Sequence, residues 1–236
     1  MLGINKKNLS LYARKKEWLI YLPLLTLALY MFVDILLIGP DHTPFAPIHI
    51  LQKGFFFLHE STHVLFTSAP GIIRYSSGSI IELLVPTLMI IFALKARYYF
   101  VAIYSSVLLM LTSKSVGAYM ADAIQQKLLV VNPFVPKDVK IAHDWNIVFV
   151  DLKILPYSEL IGDTVRVLGT IICLIALCFG VYLLILMGTI NHDSNLPAEE
   201  KELIEQWNKH VRTPLNSADK CKTTKASREL VSQKRR

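Results

Sequence analysis

Residues Val165–Met187 form an apolar run in which Arg166 is the sole charge, and that run constrains the fold more than any other feature of the chain. A stretch of this length matches the hydrocarbon thickness of a bilayer when it is helical. Three further segments resemble it. Trp18–Ile38 is long enough to span, and Ser79–Leu94 is short but apolar apart from Glu82. Tyr98–Leu111 is apolar and continues, more polar, to about Ala121. In hydrocarbon every backbone amide must be satisfied within the segment, so these runs predict helices. The composition agrees, with 53% hydrophobic residues and a mean hydropathy of +0.43. The predicted fold class is therefore all-α, a polytopic membrane helical bundle over roughly residues 18–188, with lipid as its main partner. Trp18, Tyr21, Tyr98 and Tyr99 stand near segment ends, where interfacial aromatics collect. The first segment is expected to be retained, because no small-residue cleavage site follows it at Gly39-Pro40-Asp41.

The net charge of +7 gathers at the two ends. Residues 1–17 carry Lys6, Lys7, Arg14, Lys15 and Lys16 against Glu17, and residues 213–236 carry seven basic residues against Asp219 and Glu229. Both ends therefore read as cytoplasmic, and the tail reads as a topology determinant rather than a nucleic-acid site. Leu196–Val211 has Leu203, Ile204, Trp207 and Val211 on one face, the pattern of a short amphipathic helix on the membrane surface. Residues 213–236 lack apolar periodicity and are expected to be disordered. Cys173, Cys178 and Cys221 have neither redox nor metal-ligand spacing. No internal repeat, phosphate-binding glycine loop or second globular domain is visible.

Inside the apolar stretch Gly54–Pro70 lies His59-Glu60-Ser61-Thr62-His63, an H-E-x-x-H motif. Residues four apart share a helix face, so both imidazoles can reach one metal ion, zinc above all. Glu60 stands beside them as a candidate general base. Two imidazoles and a carboxylate at membrane depth are costly unless they serve a function. Five crossings would put the two basic ends on opposite sides. If Gly54–Pro70 instead dips in and returns, with a turn in Gly71–Gly78, four crossings remain and both ends share one side. That arrangement also brings Glu82, Asp122, Asp34 and the segment His143-Asp144-Trp145-Asn146 to the same face as the histidines.

A catalytic zinc takes three protein ligands, and the motif supplies His59 and His63. The candidates for the third are His143, Asp122, Asp144 and Glu82, with His143 and Asp122 foremost. Asp144 is read as an acceptor that orients a ligand imidazole, or as the N-cap of a helix starting at Trp145. Glu82 needs a partner, such as Lys114 or Arg74, and is read as a channel or orienting residue. Lys114 neutralises Asp34 or Glu82, or extends to the surface. Asp34 fits the same roles. His42, His49, His192 and His210 are placed in loops or the tail and carry none.

Four pieces of the chain, covering most of residues 50–170, resemble a poorly characterised family of small bacterial integral-membrane proteins. They are Leu58-His59-Glu60-Ser61-Thr62-His63-Val64, Gly78-Ser79 followed by Pro86, Tyr119-Met120-Ala121-Asp122-Ala123, and Ala142-His143-Asp144-Trp145-Asn146. That family has no assigned substrate, so the resemblance implies a site rather than a reaction; where its members tend to carry an amide, this chain has Glu82. The layout is also similar to the site-2 protease group. There the motif helix lies within the membrane and binds zinc, and the third ligand is an Asp whose nearest counterpart here is Asp122. The resemblance implies a metallopeptidase acting on a peptide or membrane protein. A divalent-metal carrier and a purely structural membrane protein are the competing functions, and Glu60 at its offset from His59 favours hydrolysis.

Overall fold

The computed structural model describes residues 18–38, 46–128 and 143–189, with Leu9, Tyr12, Ala13 and Glu205 besides. All but Glu205 belong to one compact unit, Met1–Ile190. Most of the basic N-terminal stretch, the expected amphipathic helix 196–211 and the tail 213–236 lie outside the described residues.

The described chain is helical, without strands. It consists of α1 (Trp18–Leu37), α2 (Ala46–Leu65), α3 (Gly71–Lys95), α4 (Tyr99–Ala121), the short α5 (Asp144–Asp151), a 3-10 turn (Leu155–Tyr157) and α6 (Ser158–Thr189). Four of these, α1, α3, α4 and α6 with its preceding turn, are long and apolar enough to cross a membrane. Their exposed faces carry large apolar residues such as Leu19, Ile73, Phe92 and Ile175, as lipid-facing surfaces do.

Helix α4 is the most buried of the four and forms the central post. Against it, α6 packs through small residues. A Cβ on Gly117 would fall 2.5 Å from the Gly162 carbonyl, and one on Gly162 2.7 Å from the Ala121 amide. Backbone therefore rests on backbone, the packing mode open to helices that gain nothing from hydrophobic exclusion inside lipid. This contact joins the end of α4 to the start of α6, so the two are antiparallel.

Helix α3 reaches α4 through Ala96–Tyr98. Arg97 has φ 63°, and bonds from Tyr98 N to Ala93 O (2.8 Å) and Arg97 N to Leu94 O (3.2 Å) close a Schellman cap. Helix α1 runs alongside the start of α4: Tyr21 lies against Phe100 and the Tyr104 hydroxyl donates to Leu24 O at 2.7 Å. Consequently α1 begins and α6 ends at one end of the bundle, together with Lys95 and Arg97. The opposite end gathers the start of α3, the end of α4, α5 and the start of α6.

Two expected boundaries are corrected. Gly71–Gly78 is not a turn but the first two turns of α3, and the reversal occupies Phe66–Pro70. Pro70 caps the helix start, a position where its missing amide costs nothing. The hydroxyls of Ser76 and Ser77 donate back to Ile72 O (2.7 Å) and Arg74 O (2.8 Å), satisfying themselves within the helix. The motif helix likewise starts earlier than expected, at Ala46, which moves His49 from a loop into its first turn. Among the described helices longer than a few turns, α2 is the one that does not qualify as a span.

Candidate metal centre

Three elements meet at the end of the bundle opposite to the start of α1. The motif helix α2 lies antiparallel on α3, and Gly78 is what lets it settle there. A Cβ on Gly78 would fall 2.5 Å from Cδ2 and Nε2 of His59, so only a bare α-carbon leaves room for that ring. Helix α5 is pinned from the other side. Trp145, Val148 and Phe149 pack with Val116, Met120 and Ala123 in a buried apolar cluster. The Trp145 indole donates to Ser79 Oγ (2.9 Å) and the Asn146 amide to Ala123 O (2.8 Å). These contacts set the first residue of α5, Asp144, against the two imidazoles.

Donor atoms of His59, His63 and Asp144 all lie within 4.8 Å of one another. Asp144 Oδ2 is 3.7 Å from His59 Nε2 and 3.3 Å from His63 Nε2, and the two rings meet edge to face with centroids 4.8 Å apart. The other ring nitrogens are already committed. His63 Nδ1 is 2.8 Å from Arg74 O; a carbonyl oxygen only accepts, so Nδ1 carries the proton. His59 Nδ1 faces Glu82 Oε2 at 3.5 Å, which favours the same tautomer. Both Nε2 lone pairs are thereby turned towards the Asp144 carboxylate. His63 Nε2 is buried with no hydrogen-bond partner. Two imidazole lone pairs and a carboxylate converging on one point, each imidazole held from behind by an acceptor, form a donor set suited to zinc.

Tyr119, near the end of α4, completes the tie. Its hydroxyl accepts the Asp144 amide (3.1 Å) and donates to Asp144 Oδ2 (3.4 Å).

His143 and Asp122, the foremost sequence candidates for the third ligand, stand beside this group without joining it. His143 is the N-cap of α5, with Nδ1 accepting from the Asn146 backbone N–H at 3.3 Å. The helix thus starts at Asp144, one residue earlier than expected. The proton of His143 consequently sits on Nε2, which is buried and faces Asp122 Oδ2 at 3.8 Å. Burial, only partly offset by the Asp122 and Asp144 charges, keeps this imidazole below its usual pKa and neutral. Asp122 spends its carboxylate on the turn after α4, accepting from Lys127 N (3.1 Å) and Leu128 N (2.8 Å). The ring neighbour of His143 is Tyr119, with centroids 4.2 Å apart.

Glu82, expected beside Lys114 or Arg74, is buried against His59 instead. Lys114 is half-buried on α4 and makes none of the ion pairs of the centre. Asp34 is buried on α1, which packs chiefly on α6 and α4. Arg74 is exposed, its guanidinium 5.6 Å from the Tyr75 ring; the centre uses only its carbonyl. Glu60 is buried next to His59 and lines a cavity of about 490 Å³ shared with His59, Asp144, Tyr119 and Glu82.

Sequence reasoning assigned no role to Tyr119, Gly78 or the Arg74 carbonyl. The one available signal was Tyr119, a phenol one turn before Asp122 on a helix ending at the polar face. Compared with family models, characterised proteins and solved structures, the chain has no match.

Proposed function

We propose that this protein is a membrane-embedded, zinc-dependent metallopeptidase of the site-2-protease type, set in a bacterial inner membrane with both termini cytoplasmic. The observation that carries the reading is the convergence of His59 Nε2 and His63 Nε2 on one carboxylate, with each Nδ1 facing an oxygen acceptor. His59, His63 and Asp144 would hold the ion, and Glu82 and the Arg74 carbonyl fix the rings. Zinc held there would supply a Lewis acid, polarising a substrate carbonyl and making water more acidic. Glu60 follows His59 directly and lines the same cavity. Its carboxylate is the base that takes a proton from the attacking water and hands it to the departing nitrogen. The buried position of Glu60 limits competing water around that transfer.

A carrier or a structural protein has no need of a base at position 60. Glu60→Gln is therefore expected to keep one equivalent of zinc while losing peptide hydrolysis by about 100-fold or more. Hydrolysis at the wild-type rate in that variant would exclude the mechanism. Zinc flux into vesicles, unchanged by the same substitution, would replace it with transport.

A further inference from the structure

The cavity beside the centre is lined by His59, Glu60, Asp144 and Tyr119, and Lys53 is the one Lys or Arg among its described lining residues. Lys53 and Glu60 are seven residues apart on α2, so they share a face and lie roughly 10 Å apart along the helix axis. Phe56, between them on that face, lines the same space, as do Phe55 and, from α4, Leu111 and Val116. Lys53 is itself exposed.

A ligand complementary to this pattern places a reacting carbonyl at Glu60, apolar side chains along the Phe56 wall and an anion at Lys53. In an extended peptide, roughly 10 Å is about three residues. Resting on the hydrolase reading, we infer that Lys53 is a specificity residue binding a peptide carboxylate two or three apolar residues beyond the scissile bond. The carboxylate is that of a chain terminus or of an Asp or Glu side chain.

The test uses the full-length, zinc-loaded protein in phosphatidylcholine nanodiscs. Three dansyl-labelled apolar pentapeptides serve as probes: the free acid, its C-terminal amide, and an amide ending in Asp. Binding is read by anisotropy on the Glu60→Gln protein, which separates it from turnover. The free acid or the Asp peptide is expected to bind about tenfold or more tightly than the neutral amide. Lys53→Met in that background should abolish the preference with zinc content and far-UV circular dichroism unchanged, and Lys53→Arg should keep it. Preference for the free acid over the Asp peptide supports the site with a chain terminus as its ligand; equal binding supports it for any carboxylate. The inference is overturned if acid and amide bind alike, if no probe binds, or if the preference survives Lys53→Met. Should Lys53→Met fail to fold, the acid-to-amide comparison with Lys53 and with Lys53→Arg still decides. Acid-selective binding without cleavage by wild type removes the hydrolase reading alone; cleavage without acid selectivity removes the Lys53 site alone.

Discussion

Tyr119 joins α4 to the first turn of α5 through both its lone pair and its proton. Removing the hydroxyl leaves the ring stacked on His143 but frees the Asp144 amide and carboxylate. Tyr119→Phe is expected to weaken zinc binding by about 10- to 100-fold, the usual penalty for losing a partner that orients a ligand. Its stability should fall by no more than about 1–3 kcal/mol, because a single buried amide is left unpaired. Competition with a fluorescent zinc chelator measures the first, and an unchanged affinity would show that Tyr119 does not position a metal ligand. At this scale the motif residues were legible. His59 and His63 share a face by helical periodicity alone, and their ring centroids do lie 4.8 Å apart. The tautomer was not legible. It depends on the Arg74 carbonyl, a backbone atom eleven residues away across a turn, and backbone atoms leave no trace in side-chain identity. The place of Asp144 was hidden for a related reason, since an Asp before an apolar helix reads equally well as a cap.

Among the elements, α3 decides whether the centre can assemble. Gly78 lies in the helix interior, where Ala would favour the helix itself by roughly 0.5–1 kcal/mol. Yet its Cβ would fall 2.5 Å from the His59 ring. Gly78→Ala is thus expected to leave helicity intact or slightly raised while pushing His59 away from Glu82 and Asp144. Zinc stoichiometry beside far-UV circular dichroism separates the two effects, and full zinc binding in this variant would refute the packing argument. The extent of α3 escaped sequence reading because Gly71–Gly78 is rich in Gly and Ser, a composition shared by turns and by close-packed membrane helices. The continuous helix from Gly71 and the close approach of His59 to Gly78 make it the latter. For α2, apolarity was the misleading cue. Its helix includes Gln52, Lys53 and His49, which dilute the hydrophobic run, so its start was set too late.

For the whole molecule, the order of the ends is the claim most open to direct test. The start of α1 and the end of α6 share one end of the bundle, and the candidate metal centre lies at the other. After Cys173, Cys178 and Cys221 are replaced by Ser, single cysteines at Ser68 or Lys153 should react with an impermeant maleimide from one side. Cysteines at Arg97 or Thr189 should react only from the opposite side. Ser68 and Arg97 labelling together from one side would break the proposed topology. The charge bias argues for an even number of crossings, and the four span-length helices agree with that count.

What the chain dictated alone follows from short-range rules: helices where apolar runs must satisfy their own amides, and two histidines on one face four residues apart. Tertiary structure decided everything that needs separate segments to meet. It set Asp144 against the histidines while His143 and Asp122 turned to each other, and it matched Gly78 to an imidazole. Periodicity reports which way a side chain faces, but only packing determines what it finds there.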